Sequence, residues 1–263
     1  MLRTAGVKVL GMLGGAARGS FARLDSDAFE AYYGPLREMI LRRELDGLDL
    51  DVEEPMSLGG IVRLIDRLKA DFGAAFIVTL APVAAALLFE HNLSGFDYEA
   101  LEVLRGGSIA WYNAQFYNGW GSVATGAQYD AIVARGFPPQ KVLVGLVTNP
   151  ENGSGWVPFE LLRVVLDYLK RRYGRNFGGV MGWEYFNSLP GGKDRPWEWA
   201  EWMTAALDMA ETTSEGATLR ALAKETIAVE KSPCFVVDED ENLSEEALPP
   251  SSFDYFTDGS IDA

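Results

Sequence analysis

The sequence predicts an α/β fold built on parallel strands. Short apolar runs alternate with segments of helical period. Each run but the last is followed by a connection long enough for a crossover. The unusual residues then fall at the carboxyl ends of the runs, where parallel sheets carry their sites: Glu53 at one, Gln115 to Asn118 at another, Trp183 at a third. A closed barrel and an open sheet both satisfy this pattern.

Taken in order, Val7–Leu13 reads as the first strand, ending in Gly14-Gly15. Phe29, Tyr33, Leu36, Met39 and Ile40 follow at helical spacing. Residues 46–53 form an acidic strand that Pro55 breaks. Ile61, Leu64, Ile65 and Leu68 mark one face of the next helix. Phe76–Leu80 is a strand stopped by Pro82, Ile109–Phe116 is another rich in aromatics, and Val142–Val147 follows. A helix then carries Leu161, Leu162, Val165, Leu166 and Leu169, and Gly179–Trp183 is the last strand, with a helix around Trp199–Met209 after it. Residues 1–230 form the folded part, closing on an amphipathic helix over 216–230, and 231–263 read as a disordered acidic tail.

The strand Asp46-Gly47-Leu48-Asp49-Leu50-Asp51-Val52-Glu53 carries the chemistry. In an extended strand Asp49, Asp51 and Glu53 project to one side and Leu48, Leu50 and Val52 to the other. Carboxylates stacked on an apolar strand repel one another and lose hydration, a cost that points to function rather than to a solvated edge. Such neighbours cannot all ionise, so a proton stays in the cluster near neutral pH, available to a general acid.

Composition narrows the classes. A net charge of −15 over 263 residues argues against nucleic acid or an anionic membrane as partner. One histidine, His91, makes a histidine-based triad or multi-histidine metal site untenable, and His91 reads as a loop residue. One cysteine, Cys234, permits no intrachain disulfide. Met1-Leu2-Arg3 before Val9–Leu13 imitates a secretory leader, but Lys8 interrupts the run and a buried strand explains it better.

With these motifs in place, the chain resembles glycoside hydrolase family 18, the chitinases and endo-β-N-acetylglucosaminidases, and within it the fungal members. Asp46 to Glu53 meets the pattern DGxDxDxE in full. Lys8 to Gly15 looks like the family's third strand, with Met12-Leu13 where a serine usually precedes the Gly-Gly. Gln115-Phe116-Tyr117-Asn118 looks like the sixth, and Gly179-Val180-Met181-Gly182-Trp183 like the eighth.

The resemblance implies a (β/α)8 barrel and a site without metal or cofactor. Glu53 would be the general acid and later the base; Asp51 would orient the substrate's N-acetyl group, whose carbonyl oxygen attacks the anomeric carbon; Asp49 would share a proton with Asp51. Tyr117 would hydrogen-bond the acetamido oxygen, Gln115 and Asn113 would line the subsite with Met181, and Trp183 would stack on the sugar. Trp111, Trp120 and Trp156 are either stacking platforms or loop packing, and Trp197, Trp199 and Trp202 read as helix packing.

Set against the family pattern, the first two βα units are absent, which leaves about six parallel strands and an expectation of poor stability. The expected function is endo-cleavage of β-1,4-linked N-acetylglucosamine bonds in chitin or in the chitobiose core of N-glycans. The alternatives are an inactive fragment or a chitin-binding lectin on the same scaffold. The family is largely extracellular, while the first residues here read as strand rather than leader.

Overall fold

The computed structural model describes residues 3–88 and 92–208, all within the unit Met1–Lys224. His91, the 216–230 helix and the 231–263 tail lie outside the described residues. Strands β1 Leu10–Gly14, β2 Gly47–Asp51, β3 Ile77–Leu80, β4 Trp111–Gln115, β5 Val142–Val147 and β6 Val180–Trp183 pair in parallel in sequence order. They form a curled half-barrel, six strands of the barrel architecture that the resemblance implies. Helices α1 Ser20–Asp25, α2 Phe29–Arg43, α3 Leu58–Phe72, α4 Tyr98–Arg105, α5 Ala127–Ala134, α6 Phe159–Tyr173 and α7 Glu198–Asp208 follow the strands. None of the described helices is long and apolar enough to cross a membrane.

The two faces of the sheet divide by residue type. Leu48, Leu50, Val78, Leu80, Tyr112, Ala114, Val142 and Val144 alternate onto the outer face and are buried in one core with the helices. Helix α3 supplies Ile61, Leu64, Ile65 and Leu68, all fully buried at helical spacing. Its first turn is capped by Ser57, whose Oγ accepts from the Gly60 N–H at 2.9 Å. Helix α6 adds Leu162, Val165, Leu166 and Leu169, whereas Leu161 lies off the stripe and is only half-buried.

Two glycines let the acidic strand sit where it does. A Cβ on Gly47 would lie 2.2 Å from the Ile77 carbonyl oxygen, so β3 closes on β2 only because position 47 has no side chain. Gly14 adopts φ +103°, and a Cβ there would meet the Asp51 carbonyl oxygen at 2.1 Å. The chain then doubles back, and the Gly15 N–H donates to that same carbonyl at 2.9 Å.

Several boundaries differ from the sequence reading. β1 starts at Leu10 rather than Val7, and β4 is shorter at both ends. The acidic strand ends at Asp51, so Glu53 stands just beyond the sheet rather than within it. The reason is hydrogen bonding: past Asp51 the backbone turns to loop partners, the Val52 carbonyl accepting from Ser94 Oγ at 2.7 Å. Helices α1, α4 and α5 are too short for apolar period to reveal. Trp199 and Trp202 pack against the core as expected, but Trp197 is 48% exposed and is not part of helix packing. The inner face is open on one side: Met12 of β1 is 51% exposed, and β1 and β6 each have one partner among the described strands.

Candidate active site

The strand register assembles the polar residues on the inner face. Asp49 pairs with Met12 on one side and Thr79 on the other, and Asp51 pairs with Gly14. Trp111, Asn113 and Gln115 share the inner face of β4 because they alternate with the buried Tyr112 and Ala114. On β6, Gly182 faces Trp199 of α7, so Met181 and Trp183 turn inward, and the Met181 thioether passes close to Gly145. Trp183, at the carboxyl end of β6, is half-buried.

Hydrogen bonds tie the acids to these neighbours in sequence along the strand. Asp49 Oδ1 accepts from Thr79 Oγ1 at 2.5 Å and from Asn113 Nδ2 at 3.1 Å. Asn113 is itself oriented by Trp111, whose Nε1 donates to Asn113 Oδ1 at 3.0 Å. Gln115 Nε2 donates to the Ala81 carbonyl at 2.8 Å and reaches both Asp51 Oδ1, at 3.2 Å, and Glu53 Oε1, at 3.3 Å. An amide nitrogen has only two hydrogens for these three acceptors, so one of the hydrogens is shared.

The electrostatics follow from this crowding. Burial, then the charges of Glu53 and Asp49, push the Asp51 carboxyl up to about 8 against the single opposing bond from Gln115. Burial also raises Asp49, with Thr79 and Asn113 acting against it. Tyr117 is buried just after β4, and burial together with the field of Asp51, Glu53 and Asp49 holds its phenol protonated. Its hydroxyl makes no hydrogen bond to a described residue, so it keeps a donor for an incoming acceptor. At neutral pH the site therefore holds its carboxyl proton on Asp51 and a protonated phenol beside the cluster.

Glu53 is fixed from the residues around it. The next residue, Glu54, is buried and accepts the backbone N–H groups of Gly19 at 2.7 Å and Phe21 at 2.6 Å, locking the loop after β2 to the start of α1. Asp25, at the end of α1, takes the N–H and Oγ of Ser57 at 2.8 and 2.6 Å. From the other side Ser94 accepts from the Met56 N–H through its carbonyl at 2.8 Å.

Asp49, Asp51, Glu53, Asn113 and Gln115 thus form one network, and Tyr117 lies within reach of its field. Met181 and Trp183 share the inner face but make no hydrogen bond to the network. Trp156 packs edge-on against Phe159, and Trp120, partly buried, packs against the core. Sequence reasoning missed Thr79, although a polar residue in the run Phe76–Leu80, on the face opposite Val78 and Leu80, was a usable signal. Glu54 carried no such signal, since its partners are backbone groups far away in the chain.

A curled parallel sheet with stacked carboxylates, amide donors and a tryptophan at its carboxyl ends is the make-up of a carbohydrate-cleaving barrel. No protein-family profile matches the chain. A fungal endo-β-N-acetylglucosaminidase from glycosyl hydrolase family 18 superposes with a TM-score of 0.76 at 56% identity, covering 78% of this chain and 74% of that one. The chitinase ChiC of Aspergillus fumigatus gives a TM-score of 0.71 at 61% identity over 78% of this chain and 75% of its own. Endochitinase 4 of Metarhizium anisopliae is 24% identical over 220 residues, 69% of this chain and 75% of its own length. The chain belongs to glycoside hydrolase family 18, whose named relatives here are glycosidases, and the fungal character of the resemblance is borne out.

Proposed function

We propose that this chain hydrolyses β-1,4-linked N-acetylglucosamine bonds with retention, the substrate's own acetamido carbonyl serving as nucleophile. The observation that carries the reading is the Asp51 carboxyl, pushed up to about 8 between Asp49 and Glu53 and bridged to Glu53 by Gln115. The proton held at Asp51 passes to Glu53, beside it on the Gln115 amide, and Glu53 gives it to the departing glycosidic oxygen as the anomeric bond breaks and the acetamido oxygen closes on the anomeric carbon. Asp51, ionised by that transfer and supported by Asp49, accepts the acetamido N–H, which orients that oxygen and offsets the positive charge of the cyclic intermediate. The Tyr117 hydroxyl donates to the acetamido oxygen, and Trp183 floors the ring. Water then opens the intermediate while Glu53, now a carboxylate, removes its proton.

The substrates are N-acetylglucosamine-containing glycans. The names of the similar proteins divide between chitinase and endo-β-N-acetylglucosaminidase, and chitin is the substrate we place first. The test is the purified chain on a chitooligosaccharide and on a high-mannose glycoprotein, beside Glu53→Gln. The expected result is cleavage that the variant loses by about 10²–10⁴-fold. A chain that binds these glycans and cleaves neither would overturn the enzyme reading in favour of a lectin.

One observation favours an inactive or weakly active chain. The open inner face leaves the apolar side chain of Met12, paired with Asp49, 51% exposed, and β1 and β6 each have one partner among the described strands. Aggregation, or failure to bind any of the glycans, is the outcome that this second reading predicts.

A further inference from the structure

We propose that Trp111 and Thr79 are positioning residues for the cleavage: Trp111 through Asn113, and Thr79 directly, keep Asp49 ionised, so that the proton of the cluster stays on Asp51, where Glu53 can draw it. The inference rests on the glycosidase reading and adds what sets its pH range. Two donors converge on one oxygen of Asp49, Thr79 Oγ1 at 2.5 Å and Asn113 Nδ2 at 3.1 Å. Strand β1 offers none, because the residue paired with Asp49 there is Met12. Thr79 is fully buried, so its hydroxyl has no water to turn to instead. The asparagine is less constrained by itself. Its amide is nearly symmetric in shape, and turned end for end it would present its oxygen to Asp49 and repel it. Trp111 removes that choice. Its Nε1–H, 3.0 Å from Asn113 Oδ1, can only donate, so it takes the oxygen and leaves the nitrogen facing the acid.

The surroundings of Asp49 give these bonds their weight. Asp51 and Glu53 stand on its own side of the acidic segment, uncharged Met12 on β1, Thr79 on β3, and Asn113 and Trp111 on β4. The phenols of Tyr98 and Tyr117 lie within reach of its field. No cation pairs with it among the described residues, so the two hydrogen bonds are what act against its burial. The charge they preserve is in turn one of the reasons that Asp51 retains a proton. Removing a donor lets Asp49 take up a proton and lose its charge. Asp51 then ionises at a lower pH, and the proton meant for Glu53 sits on the wrong acid.

The experiment follows kcat/KM on a chitooligosaccharide from about pH 4 to pH 9 for the wild type, Thr79→Val, Thr79→Ser and Trp111→Phe. Valine removes the hydroxyl at nearly constant volume, and phenylalanine removes the indole N–H but keeps a ring. The alkaline limb of the profile should move to lower pH by about one unit in both, the worth of a hydrogen bond to a charged group. Thr79→Ser, which keeps the hydroxyl, should hold the limb at its wild-type position. A uniform fall across the pH range with the limb unmoved is what a purely structural role gives, and it overturns the proposal while leaving the glycosidase reading intact. Should Thr79→Val not fold, Trp111→Phe decides. If the wild type cleaves no glycan, the glycosidase reading fails, and carbon NMR titration of the Asp49 and Asp51 carboxyls tests the positioning alone. An Asp51 titration moved to lower pH in the variants supports it, and an unmoved one overturns it.

Discussion

Gln115 reaches from β4 to bind two acids of the β2 segment at once, its Nε2 lying 3.2 Å from Asp51 Oδ1 and 3.3 Å from Glu53 Oε1. One amide therefore sets both the distance between the two carboxyls and the charge that Asp51 can carry. Replacing it with leucine removes the donor and keeps the volume. With that bond gone, the Asp51 titration should move above about 8, since the bond favours the ionised form. Carbon NMR of labelled aspartate side chains reads the shift, and glycan cleavage should fall about tenfold or more, the worth of a hydrogen bond to a charged group.

Stability should carry the same signature. The Asp51 carboxyl is near 3.8 when unfolded and about 8 when folded, so between those values the folded chain holds a proton that the unfolded chain has released. Stability therefore declines as pH rises through that window, and the loss is complete above about 8. Asp51→Asn removes the penalty. Its melting midpoint relative to wild type should rise steadily from pH 4 to pH 8, by about 2–4 °C for each 1 kcal/mol recovered. A difference that does not vary with pH would refute the assignment.

Glu54 should matter for the fold more than for the chemistry. Glu54→Ala leaves the half-buried N–H of Gly19 and the buried N–H of Phe21 without their acceptor. The expected loss is about 2–4 kcal/mol in urea unfolding. Activity should fall as well, because the loop bearing Glu53 loses its anchor on α1.

Gly14→Ala is expected to be the most damaging conservative change. The position combines φ +103° with only 2.1 Å between the new Cβ and the Asp51 carbonyl oxygen. Alanine at positive φ alone costs about 1 kcal/mol, and the clash forces β1 away from the acidic strand. Loss of soluble expression, or a midpoint far below wild type, is the expected result; a variant of wild-type stability would show that β1 can shift freely.

Much of this molecule was legible before any coordinates. The strands announced themselves because apolar runs bounded by glycine and proline have few other solutions, and Val142–Val147 is read to the residue. The acids were legible because alternation along one strand is local geometry: Leu48, Leu50 and Val52 are buried while Asp49 faces the other way. The short helices were not legible, since six to eight residues hold too little period to count. Nor was the end of the acidic strand, which is decided by Ser94, far along the chain, taking the Val52 carbonyl.

The sequence by itself determined the parallel α/β class, the acidic strand and the family likeness, because all three are written in the spacing of neighbouring residues. Tertiary structure alone decided which acid keeps the proton. By strand alternation alone Asp49, Asp51 and Glu53 are equivalent, and only the family resemblance tells them apart. Asp49 has Thr79 and Asn113 as donors, whereas Asp51 is buried between two charges with Gln115 as its one side-chain donor, a donor that it shares with Glu53. Solvation and long-range neighbours set a carboxyl's proton affinity, and both exist only once β3 and β4 have packed beside the acidic strand.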